Sequence, residues 1–243
     1  MTNNTIIFGI RACIEAIEAG KTLEKVYLQK DLKGSLFNEL NYLIRNNNIS
    51  NSYVPIEKLN KLSKNNNHQG VVAKISEIDF SDLEYILENN LSKTPLFLLL
   101  DGITDVRNFG AIIRTAECCG VTAIIVPSQG SAPLNAESIK TSAGAAFKVP
   151  ICKVNHIKDA IYLLKASDIQ IVAATEKTNK SVFEVDFKIP TAIIMGSEYK
   201  GVSPSVLKIS DVKAQLPLLG TIESLNVSVA CGAFLYEAVR QRM

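Results

Sequence analysis

Four short runs in the second half of the chain, Leu96–Leu100, Thr122–Val126, Ile169–Ala174 and Thr191–Met195, are apolar at nearly every position. Side chains alternate between the two faces of a strand, so a run without polar alternation is buried on both faces. Helix-patterned stretches lie between and after them: Ile112–Cys119, an Ala/Ser-rich helix around Ile139, Ile157–Lys165 and Leu225–Val239. The pattern predicts an α/β domain in which a parallel sheet is sandwiched by helices. Ligands of such sheets sit beyond the carboxyl ends of the strands. The loops that matter are therefore those after Leu100, Ala174, Met195 and Leu216.

The first part of the chain alternates shorter pieces: a helix over Ile10–Ala19, a strand at Lys25–Leu28, a helix over Leu36–Ile44, a break at Val54–Pro55, a short helix around Leu59 and a strand at Val71–Ile75. This is a small α/β module. Residues 78–93 carry four acids and one lysine between two apolar strands and read as a partly helical connector. The expected organisation is thus a module at 1–77, a linker at 78–93 and a larger domain at 94–243.

The chain of 243 residues carries 26 Lys+Arg against 24 Asp+Glu, so electrostatics alone does not argue for a nucleic-acid partner. Residues 1–77 hold the main regional excess, 10 basic against 7 acidic. No apolar run approaches the length of a membrane span. MTNNTIIFGIRAC lacks a basic start followed by a long apolar region, so a soluble cytoplasmic protein is expected. Five scattered cysteines without a CxxC, and only two histidines, His68 and His156, predict buried free thiols rather than a metal site.

Three loops carry candidate chemistry. After Leu100 comes DGITDVRNFGAIIR, where Asn108 is placed to cap a helix, Gly110 permits close packing and Arg114 lies one to two turns further on. After Met195 comes GSEYKGVSP, in which Ser203–Pro204 opens a helix. A turn explains Gly201, Ser203 and Pro204 but not an acid, Glu198, between glycines. After Leu216, Pro217 and Gly220 bracket a turn, and Ser224, Asn226 and Ser228 put more polar groups at one helix start than capping needs. No GxGxxG, GxxxxGK[ST] or GxSxG is present, so the chemistry expected uses no dinucleotide fingerprint, triphosphate loop or nucleophile elbow.

Taken together, N-x-G-x-x-x-R (Asn108, Gly110, Arg114), G-x-E-x-x-G-x-S (Gly196, Glu198, Gly201, Ser203) and P-x-x-G-x-x-x-S-L-N-x-S (Pro217 to Ser228) resemble the SpoU (TrmH-type) branch of the SPOUT RNA 2′-O-ribose methyltransferases. The module bearing FGIRAC and HQGVVAKI looks like the substrate-binding domain of the subgroup that methylates a guanosine of 23S rRNA. The resemblance implies an L30e-like N-terminal domain, a SPOUT domain with a C-terminal trefoil knot, S-adenosylmethionine (AdoMet) as methyl donor without a metal, and a homodimer with the active site near its interface. It places Arg114, Asn108, Glu198, Ser224 and Asn226 on the catalytic constellation. Gly196, Leu216 and Leu225 would meet AdoMet, and Thr175 would close its pocket. Arg11, Lys21 and Lys25 are the candidates for RNA contact. A tRNA ribose methyltransferase and a non-catalytic ribosome-assembly factor remain as other readings.

Overall fold

Apolar alternation and helix-period spacing resolve into discrete elements in a computed structural model that describes residues 5–76, 78–89, 93–222 and 224–243. The chain begins with β1 (Thr5–Phe8), α1 (Ile10–Glu18), β2 (Leu23–Gln29), α2 (Ser35–Asn46), β3 (Asn51–Val54), α3 (Ile56–Leu62) and β4 (Val71–Ile75). It continues through α4 (Leu83–Asn89), β5 (Leu96–Asp101), α5 (Val106–Cys118), β6 (Ala123–Pro127), α6 (Ala136–Thr141), β7 (Ile151–Val154), α7 (Ile157–Ala166) and β8 (Gln170–Ala174). It ends with β9 (Thr191–Gly196), α8 (Pro204–Leu207), β10 (Val212–Ala214) and α9 (Val227–Arg242). Residues 1–4 and Glu77 of the expected first module, residues 90–92 of the expected linker, and Glu223 of the third loop lie outside the described residues.

Tertiary contacts divide the chain into two units, Met1–Asp79 with Leu134–Lys148, and Phe80–Pro133 with Val149–Met243. The stretch 134–148, read from the sequence as part of the 94–243 domain, therefore lies in the first unit. There α6 packs on β1, and Ala136 joins the apolar cluster of Phe8, Val54, Leu59 and Val72. An Asn135/Ser138 capping box closes the start of α6. Its N-terminus is thus satisfied locally, while its apolar partner β1 is more than a hundred residues away in sequence. No local pattern could reveal that pairing.

In the first unit the sheet order is β1-β4-β2-β3, with β4 antiparallel to both neighbours and β2 parallel to β3. β1 and β3, unmarked by sequence pattern, are short strands at the two edges. The HQG sequence forms the turn into β4. The Gly70 N–H donates to Nδ1 of His68 at 2.9 Å, so Nε2 carries the ring proton and donates to Asn60 Oδ1 at 2.9 Å. Burial, assisted by the Lys140 charge, holds His68 below its ordinary pKa.

The second unit is a wholly parallel six-stranded sheet of order β10-β8-β9-β5-β6-β7. Leu96–Leu100 is buried throughout at its centre, as the apolar run demands. Phe97 and Leu99 face one layer, with α4, α7 and α8. The alternate residues face the other, where α5 and α9 pack together and α9 meets β9. From β5 the chain builds outward through β6 and β7, then returns on the opposite side through β8. The carboxyl ends of β5 and β9 thus flank the switch point at which doubly wound sheets bind ligands. β7 and β10 carry no strand signature in the sequence, because ICKV and VKA interrupt their apolar residues with lysine. Among the described residues no helix is long and apolar enough to cross a membrane.

Candidate active site

Strands β5 and β9 are in register up to Asp101 opposite Gly196. A Cβ on Gly196 would lie 2.0 Å from both the Gly201 carbonyl carbon and the Val202 nitrogen, so only hydrogen fits there. The chain after it folds into a tight turn. Ser197 N–H donates to the Gly201 carbonyl at 3.1 Å, and Gly201 N–H returns to the Ser197 carbonyl at 2.8 Å. Gly201 takes φ +64, the left-handed conformation that glycine adopts without strain. From β5, the Asp101 carboxylate accepts from Ser203 N–H at 2.8 Å and ties down the far end. Ser203 and Pro204 open α8 as their types predict.

That turn presents Glu198 to a relay drawn from the other two loops. Asn108 Nδ2 donates to Glu198 Oε1. Asn226 Nδ2 donates to Asn108 Oδ1 at 3.1 Å. Ser228 then donates to Asn226 Oδ1 twice, through its N–H at 2.9 Å and its hydroxyl at 2.6 Å. Every donor points the same way, from the start of α9 through α5 to the carboxylate. The bonds fix both amide orientations, since a carboxylate can only accept.

Asn108 does not cap its helix, contrary to expectation. Asp105 is the N-cap, and its carboxylate accepts from Asn108 N–H at 2.7 Å. Both are good cap residues. Placing the cap at Asp105 puts Asn108 within the first turn, with its amide free to meet Glu198. Asp101 and Asp105 are the functional neighbours that sequence reading leaves without a role. An acidic residue three positions before Asn108 is the available signal for Asp105.

Beside the relay lies a cavity of about 410 Å³ whose lining includes Thr175, Gly196, Leu216, Ser224 and Leu225. All four residues expected at a methyl donor, Gly196, Leu216, Leu225 and Thr175, thus border one cavity. Thr175 is buried, and its hydroxyl accepts from Lys177 N–H at 3.2 Å. Asn108 instead borders a narrower crevice with Glu198 and Tyr199. Arg114 is exposed on α5 and borders neither. Six residues of helix carry it about 9 Å along and about 120° around from Asn108. Arg11 is exposed at the start of α1, Lys21 is half-buried, and Lys25 holds its ammonium 5.7 Å from the Tyr27 ring centre.

The thiols are not all buried as expected: Cys118 is exposed at the end of α5. The other four are buried. Burial pushes Cys119 up to about 11, and Cys13 and Cys152 up to about 12, which makes them poor nucleophiles. Among the described residues no group of three or more His, Cys, Asp or Glu could hold a metal ion.

A cavity beyond the carboxyl ends of β8, β9 and β10, beside a directed relay of amides and a carboxylate, is the arrangement of a cosubstrate-binding α/β enzyme. The chain belongs to the SpoU rRNA methylase family, which it matches over residues 95–236. It is an RNA 2′-O-ribose methyltransferase, and residues 6–81 match the substrate-binding domain of such enzymes. It is 35% identical to the 23S rRNA (guanosine-2′-O-)-methyltransferase RlmB of Neisseria meningitidis serogroup B, across 100% of this chain and 98% of the relative. A crystal structure of an RNA 2′-O ribose methyltransferase superposes with a TM-score of 0.86 at 26% identity, covering 99% of this chain and 90% of the other. The SpoU methyltransferase AviRb from Streptomyces viridochromogenes, solved in complex with the cofactor AdoMet, superposes at 0.83 with 26% identity, covering 98% and 90%.

Proposed function

We propose that this enzyme transfers the methyl group of AdoMet to the ribose 2′-OH of a guanosine of 23S rRNA, in the cytoplasm. The observation that carries this reading is the convergence of three separated loops on one relay beside one cavity. The likeness to a 23S rRNA enzyme along the whole chain supports the choice of RNA.

The cavity suits AdoMet. Its volume falls within the range of small-molecule sites, and the missing side chain at Gly196 lets the Gly201–Val202 backbone close against it, which holds the turn that lines the cavity. Apolar Leu216 and Leu225 suit the adenine and methionine stems, with Thr175 closing one end. Bound AdoMet supplies an electrophilic methyl on a sulfonium, and its loss leaves a neutral thioether that needs no general acid.

The protein's tasks are to aim the 2′-OH and to stabilise charge developing on its oxygen. Asn108 and Asn226, held by Glu198 and Ser228, give that region fixed amide dipoles. Ser224 shapes the pocket wall. A guanidinium stays charged at any working pH, so the role of Arg114 is electrostatic: it favours the ionised 2′-oxygen and orients it, with the proton leaving late or to water.

Arg114 borders neither cavity in its own chain, and α9 exposes Val229 and Tyr236. We therefore place the active site at the interface of a homodimer, with the trefoil knot of the SPOUT fold beneath it and Arg114 brought to the reacting hydroxyl as two copies close the site. Arg11, Lys21 and Lys25 contact RNA phosphates from the first unit. Labelled AdoMet, offered separately with unmodified 23S rRNA and bulk tRNA, tests the target. Label in 23S rRNA alone is expected; label in tRNA alone would move the substrate to tRNA.

A further inference from the structure

Tyr199, at the tip of the Ser197–Gly201 turn, is 95% exposed, more than any other aromatic side chain among the described residues. A tyrosine left in water withholds roughly 150–250 Å² of amphipathic surface from any partner, and the fold makes no use of this one. Its mount is rigid. The two backbone bonds across the turn are joined by Lys200 N–H donating to Ser197 Oγ at 3.2 Å, and Asp101 pins the far end. The backbone that carries the ring is thus ordered before binding, so no loop has to be immobilised for the ring to be used.

Its position is as telling as its exposure. Ser197, Glu198, Tyr199 and Val227 border both the donor cavity and the crevice around Asn108. Val227 is buried, Glu198 is engaged by Asn108, and Ser197 is committed to the turn. Tyr199 alone of the four offers a free flat face where the two spaces meet. Charge gives little grip at this rim, because exposed Lys177 and Lys200 stand against exposed Glu176 and Glu198. With the charges of these four side chains balanced, the rim of one chain adds little electrostatic attraction for RNA beyond that of Arg114. Unpaired bases are commonly held instead by stacking on an aromatic ring, a contact that tolerates any base.

We propose that Tyr199 is the platform on which an unpaired base of the RNA substrate stacks as the reacting ribose enters the crevice. This rests on the reading that the substrate is RNA and that its ribose reacts between cavity and crevice. The ring borders the donor cavity only at its rim and gives its open face to substrate, so its removal is felt more in RNA affinity than in AdoMet affinity.

The chain contains no tryptophan, so Tyr199→Trp places a single indole at the tip. Titration of that variant with unmodified 23S rRNA transcript, and separately with bulk tRNA, is expected to quench its emission with the RNA that the wild type methylates. Tyr199→Ala should raise the KM for that RNA about 5- to 100-fold and change the AdoMet Kd by far less, while Tyr199→Phe stays near wild type because the ring face makes the contact. Three results would overturn the proposal: an unchanged RNA KM in Tyr199→Ala with no quench at saturating RNA, an equal fall in AdoMet affinity, or a change in sedimentation mass showing that a second copy covers the ring. The quench reports binding and not transfer. Failure of the wild type to methylate 23S rRNA would therefore refute the target while the stacking test still reads out on either RNA.

Discussion

Asn226 performs two tasks that one substitution separates. Its Oδ1 caps α9 by accepting from Ser228 N–H, while its Nδ2 donates to Asn108. Asn226→Asp keeps the capping acceptor but sets a carboxylate oxygen against Asn108 Oδ1, so thermal stability should fall less than in Asn226→Ala while kcat drops about 100-fold as Asn108 loses its orientation. Asn226→Ala removes the cap as well and should destabilise by about 1 kcal/mol more. A stability loss in Asn226→Asp equal to that in Asn226→Ala would mean that the bond to Asn108 is structural. Gly196→Ala forces a Cβ to within 2.0 Å of backbone atoms and should cost about 1–3 kcal/mol by overpacking, with AdoMet binding abolished, as calorimetry can check. At this scale the sequence is informative about residue types and silent about partners. Glu198 stands out because a turn leaves it unexplained, and Ser224, Asn226 and Ser228 because capping needs fewer polar groups, whereas Asn108 reads as a cap. Whether Asp105 or Asn108 takes the cap depends on Glu198, ninety positions away.

The long, apolar elements are readable because burial on both faces leaves an unbroken signature, as in β5 and β9. The short edge strands β1, β3, β7 and β10 are not, since three to four residues carry too little pattern. The end of α9 also escapes the sequence pattern, because Arg240, Gln241 and Arg242 look like a solvated tail. In the folded chain they are an anchor. The Arg242 guanidinium donates to the carbonyls of Phe187, Thr94 and Ile189 at 2.7, 2.8 and 3.0 Å, and Gln241 bridges Val185 and Phe187. Arg242→Lys cannot reproduce that fork, so the second unit should lose about 1–3 kcal/mol, seen as a lower denaturant midpoint with an unchanged m-value. Nearby, hydrogen bonds from Arg240 hold the Glu237 carboxyl below the ordinary range. Its stabilisation is present above the unfolded pKa and fades as pH falls through the folded one.

Across the whole molecule, His68 makes the first unit sensitive to pH. Its folded pKa is lowered by burial and then by Lys140. Above the unfolded value both states are neutral and stability is unaffected. As pH falls below it the unfolded chain takes up the proton first, so the unit becomes less stable toward pH 5. Amide exchange of β4 between pH 7 and pH 5 should show this, and His68→Gln should flatten the dependence. Deleting residues 1–77 is a poor test of RNA binding, because α6 packs on β1 within the same unit. The triple substitution of Arg11, Lys21 and Lys25 by alanine leaves β1 and α6 intact and is expected to keep the fold, which circular dichroism checks. If these residues touch phosphates, the salt dependence of RNA binding should flatten by about 0.7–0.9 in log–log slope for each phosphate no longer neutralised.

The account stands on the ribose 2′-OH as the methylated atom and on Arg114 as the group that stabilises it. Its most direct test is alkaline cleavage of 23S rRNA after treatment with wild-type enzyme and with Arg114→Ala, alongside the AdoMet Kd of each. A 2′-O-methyl group removes the hydroxyl that cleaves RNA. One protected position with the wild type, absent with Arg114→Ala at an unchanged AdoMet Kd, is the predicted result. Methyl incorporation without a protected position, or an Arg114→Ala enzyme that protects as well as the wild type, would contradict it.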